Sequence, residues 1–156
     1  MSRNPWGFSL TFLSRSCRTC NSLAAFSSQT KSLKTAAAAP TIRKDCPPDV
    51  EELGRSTWTL LHSIAATYPK TPTSSEQDDL RGFFKFFAKL YPCWVCAEDF
   101  QQYMKKETIE TGSREDFGQW LCRAHNDVNK KLGKPTFDCA KWEERWRTGW
   151  RDGSCD

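Results

Sequence analysis

Two cysteines stand three apart in Tyr91-Pro92-Cys93-Trp94-Val95-Cys96, directly after a long amphipathic run. With Pro92 as the first residue of a helix, both thiols fall on its first turn, where unpaired N–H groups and the helix dipole favour thiolate over thiol. Thiolate is the attacking species in disulfide exchange, so the spacing suits redox chemistry. Taken alone, CxxC serves as well for half of a zinc site or for two small buried hydrophobes.

A second pair, Cys17-Arg18-Thr19-Cys20, sits in a stretch with no core to bury it. Arg15 and Arg18 beside it lower thiol pKa, which favours a redox role over a structural one. From Cys20 to Cys46 is 26 residues; a random coil of that length spans about 28 Å, enough to bring the pair to a second redox site on its own or a neighbouring subunit. A joint Cys₄ zinc site is disfavoured, because 72 residues separate Cys20 from Cys93, where zinc-binding pairs usually lie about 15–20 apart. A thioredoxin-like arrangement requires a βαβ context that the sequence does not show, and no metal site is expected.

Planar and polar side chains recur at helical spacing. Trp58 and His62 lie four apart, one above the other on a helix face. By themselves they read as a core Trp and a satisfied core His, but they also suit stacking and hydrogen bonding to a planar ring system. Cys122, His125, Asn126 and Asn129 follow at i, i+3, i+4 and i+7. A buried stripe of that kind needs partners, and a polar ligand between helices would supply them. Lys131 and Lys134 could reach phosphates, with Arg145 and Trp146 adding a charge and a plane. A solvated polar face is the alternative.

The elements that must position these residues read as all-α, with no strand-like alternation of useful length after Asp45. Asp49 caps a first helix, with Glu52 three residues on, and Tyr68-Pro69 ends it. Ser74 or Ser75 caps a second helix through Leu80, Phe83, Phe84, Phe87 and Leu90. Pro92 opens the third, which carries Cys93 and Cys96. Ser113 caps the fourth, Arg114 to about Lys131, with Gly133 beyond it. A short fifth helix follows Asp138 through Trp142 and Trp146. Short polar loops between them predict a compact bundle able to hold a cofactor in its core.

Charge divides the chain. The 156 residues carry +4 overall, yet residues 1–44 hold seven basic residues and no acidic one, so residues 45–156 carry −3 (16 basic against 19 acidic). The folded part therefore lacks the basic excess of a nucleic-acid binder. The arm, rich in Ser, Thr and Ala, has the composition of a mitochondrial transit peptide or of a disordered basic tail. Eight cysteines favour an oxidising compartment, and no apolar run reaches the roughly 18 residues that span a bilayer. Of the other cysteines, Cys122 and Cys139 could staple the fifth helix to the fourth. Cys46 and Cys155 could close the domain or cross to a second copy, and the sequence does not choose.

With these motifs in view, residues 45–156 resemble the Erv/ALR family of FAD-linked sulfhydryl oxidases, of the mitochondrial type. The resemblance rests on Asp45-Cys46-Pro47-Pro48-Asp49, Gly54-Arg55 with Trp58 and Leu61-His62, Tyr91 to Cys96, Cys122 with His125 through Lys134, and Gly153-Ser154-Cys155-Asp156. It implies a four-helix bundle plus a short fifth helix behind a disordered N-terminal arm, non-covalent FAD, and a disulfide-linked homodimer. Cys93 and Cys96 match the catalytic pair, Cys17 and Cys20 a mobile shuttle pair, Cys122 and Cys139 a structural disulfide, and Cys46 and Cys155 intersubunit bonds. Gly54, Arg55, Trp58, His62, Cys122, His125, Asn126, Asn129, Lys131, Lys134, Arg145 and Trp146 match the cofactor-binding set. The Trp94-Val95 spacer departs from the charged residues common there.

The implied activity is disulfide formation in protein substrates, such as an import oxidoreductase of the mitochondrial intermembrane space. Electrons pass from Cys17–Cys20 to Cys93–Cys96, then through FAD to oxygen or cytochrome c. Within the catalytic pair, Cys93 is expected at the exposed helix start to meet incoming thiols, and Cys96, one turn deeper, to face the flavin. A stapled helical signalling dimer is the competing class.

Overall fold

A computed structural model describes residues 46–155. Cys17, Cys20 and the rest of the expected arm lie outside the described residues. The chain divides between Leu53 and Gly54, and all the packing below belongs to the unit from Gly54 onward.

The described residues are helical, in the expected order. Helix α1, Val50–Thr67, starts at Asp49, whose carboxylate accepts from the Glu52 N–H at 2.9 Å, and stops before Tyr68-Pro69. Helix α2, Ser74–Leu90, is capped one residue earlier than expected. Thr73, rather than Ser74 or Ser75, forms a reciprocal capping box with Glu76. Its hydroxyl accepts from the Glu76 N–H at 3.3 Å, and the Glu76 carboxylate accepts from the Thr73 N–H at 2.7 Å. Three positions on from Thr73, Ser74 and Ser75 stand Glu76, Gln77 and Asp78, and the Thr73–Glu76 pair is the one that closes in both directions.

Helix α3, Trp94–Lys106, by contrast begins later than expected. Cys93 is its extended N-cap, with φ −91° and ψ 101°, and Pro92 lies outside. The first i→i−4 bond runs from the Ala97 N–H to the Cys93 carbonyl at 2.8 Å, so Cys93 precedes the first turn and Cys96 lies within it. Helix α4, Arg114–Lys131, is capped by Ser113. It ends where Gly133 takes φ +65°, a left-handed conformation natural to glycine.

The fifth element is irregular: a 3₁₀ turn at Cys139–Lys141, then a π-helical turn at Glu144–Thr148. It is pinned to α4 by a disulfide, by a ring contact and by a hydrogen bond from Gln119 Nε2 to the Cys139 carbonyl at 3.0 Å. The Cys122–Cys139 disulfide joins them, with Cα atoms 5.8 Å apart. At Gly118 a Cβ would come within 2.7 Å of the Trp142 ring, so the absence of a side chain lets the indole lie against the helix.

The core is aromatic. Phe84 of α2 meets Phe100 of α3 and Phe117 and Trp120 of α4, with ring centroids 5.6–6.1 Å apart. Such contacts combine a large apolar area with favourable edge geometry. The Trp120 indole N–H donates to the Glu107 carbonyl at 3.1 Å, which satisfies its one polar atom. The end of α1 is tied to the start of α4, where Arg114 Nε donates to the Tyr68 carbonyl at 2.6 Å. No described helix is long and apolar enough to cross a membrane.

Candidate active site

Cys93 and Cys96 are joined in a disulfide at the corner between α2 and α3. Their exposures reverse the expected order: Cys93 is 0% exposed, while Cys96 is half-buried. The start of α3 is indeed exposed, but through Trp94, at 65%, and Val95. Cys93 as N-cap sits where two packed helices turn into one another. Cys96 is in the first helical turn, where the positive end of the α3 dipole favours negative charge.

One turn beyond Cys96, and on the same face, Phe100 meets Trp58 of α1 edge-on at 81° with centroids 6.4 Å apart. Trp58 leads into a cluster of four rings drawn from α1, α4 and the fifth element. Trp58 is stacked on His125, 4.0 Å between centroids and 3° from parallel. His62 is stacked on Trp146 at 4.4 Å and 9°. The Arg145 guanidinium lies 4.3 Å over the Trp146 ring, within cation–π range.

The two histidines are joined, His62 Nε2 to His125 Nδ1, at 3.1 Å. On its other side His62 Nδ1 accepts from the Trp142 indole N–H, also at 3.1 Å. Burial pushes the His62 pKa down to about 3, helped by the charges of His125 and Arg145. Burial, then Lys134, lowers His125 to about 4. Both imidazoles are therefore neutral near pH 7.

The two asparagines of the α4 stripe find partners within the protein. Asn126 pairs with the Phe137 backbone in both directions: its Nδ2 donates to the carbonyl and its Oδ1 accepts from the N–H, each at 2.8 Å. Asn129 Nδ2 donates to Asn126 Oδ1 at 3.5 Å. Among the described residues no buried side-chain nitrogen or oxygen lacks a partner, and the two asparagines need no ligand for that. Backbone groups meet that need, and they leave no mark in the sequence.

The remaining predicted residues lie as follows. Lys131 Nζ bridges Asp99 of α3 and Asp127 of α4, both at 2.6 Å. Lys134 follows Gly133 at the end of α4 and acts electrostatically on His125. Gly54 and Arg55 lie one turn before Trp58, and a Cβ at Gly54 would meet nothing within 4 Å. Cys122 is buried in its bond to Cys139, and Cys46 and Cys155 are exposed free thiols. Phe100 and Trp142 belong to the site although neither was singled out for it. Their spacings, four residues after Cys96 and four before Trp146, were the available signals. Parallel ring pairs, neutral imidazoles that can donate a hydrogen bond, and cations at Arg145 and Lys134 suit a planar, anionic cofactor.

Four helices, a disulfide at the head of the third and a ring cluster beside it define a helical redox domain. The chain belongs to the Erv1/Alr family, whose model matches residues 55–147. It is 54% identical over 110 residues to the mitochondrial FAD-linked sulfhydryl oxidase ERV1 of Saccharomyces cerevisiae, covering 70% of this chain and 58% of that protein. It is 44% identical over 114 residues to the FAD-linked sulfhydryl oxidase ERV1 of Oryza sativa, covering 72% of this chain and 59% of that one. The chain thus spans a little over half of these relatives. A crystal structure of the yeast Erv1 core matches with a TM-score of 0.68 at 52% identity, over 72% of this chain and 96% of that one. The FAD-binding domain of Erv1 from the same yeast matches at 0.65 and 52%, over 67% and 99%.

Proposed function

We propose that this chain is an FAD-dependent thiol oxidase that forms disulfide bonds in protein substrates. The observation that carries the reading is the Cys93–Cys96 disulfide on the face of α3 that leads through Phe100 to Trp58 and the histidine pair. A substrate thiolate attacks one sulfur of this bond and forms a mixed disulfide, which the second substrate thiol then resolves. The substrate gains a disulfide, and Cys93 and Cys96 become thiols holding two electrons and two protons. FAD, when bound, supplies two-electron acceptance from thiols and onward transfer to oxygen or cytochrome c.

The chain's own residues divide the remaining work. Cys96 lies on the ring-cluster side and is the less buried sulfur, so an approach to Cys93 requires the α2–α3 corner to open. Trp58, His62, His125 and Trp146 offer planes and imidazole N–H groups to the cofactor. Arg145 and Lys134 provide positive charge, with Lys131, Gly54, Arg55, Asn126, Asn129 and Cys122 completing the binding set. Cys17 and Cys20, on the arm 1–44, act as the shuttle that brings electrons to the domain 45–156.

The same reading makes the protein a homodimer. Phe83, Phe86 and Leu90 form an exposed apolar stripe on α2, with Phe86 at 61% and Leu90 at 77%, and stripes of this kind are usually covered by a partner. Cys46 and Cys155, free within one chain, supply the intersubunit bonds. A basic, acid-free arm and the mitochondrial relatives support the mitochondrial intermembrane space, where an import oxidoreductase would be the protein substrate. Purified full-length protein is expected to be yellow and to consume oxygen with a small dithiol. A folded, colourless protein that leaves the dithiol unoxidised overturns the reading.

A further inference from the structure

Trp142 is deeply buried, 80 residues away in sequence from the His62 that it contacts. An indole nitrogen only donates. His62 Nδ1, 3.1 Å from Trp142 Nε1, must therefore accept, and a neutral imidazole that accepts at Nδ1 carries its proton at Nε2. That proton points along the 3.1 Å contact to His125 Nδ1, which must accept in turn. His125 then carries its own proton at Nε2. The reverse direction would strip His62 of both protons, which imidazole does not tolerate near neutral pH.

We propose that Trp142 is a positioning residue: its indole N–H fixes both histidines as Nε2–H tautomers, so that His125, stacked under Trp58, presents a donor to an acceptor atom of the bound flavin nucleotide. The ligand half of this proposal rests on the flavin reading above; the tautomer half does not. Three features hold the arrangement. Gly118 leaves room for the Trp142 ring against α4. Trp146 and Trp58 clamp His62 and His125 from their faces. The depressed pKa values of both histidines keep either ring from taking a second proton, which would break the chain. An unanchored pair could invert, and His125 would then offer an acceptor where a donor is required.

His62 and His125 are the only two histidines in the sequence, so ¹⁵N-histidine labelling of the full chain gives a spectrum free of other residues. Wild-type protein at pH 7.5 should show two neutral Nε2–H rings, with a coupling across the hydrogen bond between His62 Nε2 and His125 Nδ1. In Trp142→Phe the His62 signals should move toward a mixture of tautomers. FAD affinity, measured by flavin fluorescence quenching, should weaken about 2- to 10-fold, the effect of one hydrogen bond. A wild-type Nδ1–H tautomer at either histidine overturns the proposal without any variant having to fold. Unchanged tautomers in Trp142→Phe overturn the role of Trp142. The expected tautomers in a protein that never takes up flavin overturn the ligand half and the flavin reading together, leaving the tautomer assignment in place.

Discussion

Trp58 lies flat on His125, 4.0 Å between centroids and 3° from parallel, although the two are 67 positions apart in sequence. The stack joins α1 to α4 and presents one side of the candidate cofactor site. Trp58→Ala removes the plane and leaves His125 without its cover. An aromatic pair contributes about 0.5–1.5 kcal/mol beyond its buried area, so flavin affinity should fall at least several-fold. Bound flavin per protein, measured by absorbance after gel filtration, checks this. Unchanged flavin content in Trp58→Ala would remove Trp58 from the site.

The histidine pair should make stability depend on pH in a window where carboxylates change little. Both folded pKa values lie below the ordinary 6.5, at about 3 for His62 and about 4 for His125. The unfolded chain therefore binds more protons than the folded one between those values and 6.5. Stability is complete above pH 6.5 and is lost as pH falls toward the folded values. Between pH 7.5 and 5.5 the loss should be about 2 kcal/mol, on the order of 1 M in the urea midpoint. Because the chain has no other histidine, a His62→Gln/His125→Gln variant should flatten the difference. Equal wild-type midpoints at the two pH values would contradict the depressed pKa values.

The four long helices were legible in the sequence because apolar periodicity and end signals agree there. Asp49, Ser113 and Gly133 each mark an end that the structure keeps. The boundaries that moved were those where adjacent residues compete for one role, as with Thr73 against Ser74 and Ser75, or Pro92 against Cys93. The Cys93 exposure was misjudged because position along a helix does not reveal what a neighbouring helix covers. Contacts across long sequence distances, such as Trp142 with His62, and side-chain pairing to backbone, such as Asn126 with Phe137, leave no spacing to read.

The two disulfides should separate by their consequences. Cys122–Cys139 closes 17 residues between α4 and the fifth element, and a loop of that size is stabilised by about 3 kcal/mol on the chain-entropy account. Cys122→Ser/Cys139→Ser should lower the thermal midpoint by many degrees. Cys96→Ser should bring dithiol oxidation to background and alter the midpoint much less. Retained turnover in Cys96→Ser would exclude the catalytic role, and that outcome would favour a signalling module.

Gly118→Ala tests the seat of Trp142 while keeping the indole N–H. A Cβ there lies 2.7 Å from three atoms of the ring, so either Trp142 or α4 must shift. Overpacking of this kind destabilises by about 1–3 kcal/mol. Denaturation should show that loss, and the His62 resonances should move with it because their donor has moved. A variant as stable as wild type with unchanged histidine resonances would show that the contact is looser than described.

Removal of residues 1–44 addresses the division of labour between arm and domain. The Cys93–Cys96 disulfide, the ring cluster and the Cys122–Cys139 disulfide all lie beyond Gly54, so oxidation of a small dithiol should continue at the full-length rate. A folded protein substrate reaches a buried Cys93 less readily, and on the proposed shuttle reading Cys17 and Cys20 would meet it first. Oxidation of a reduced protein substrate should therefore slow severalfold in the truncated chain, and Cys17→Ser/Cys20→Ser in the full chain should reproduce the loss. Equal rates on protein substrates for all three forms would leave the arm without a shuttle role and place substrate entry directly at α3, beside the exposed Trp94 and Val95.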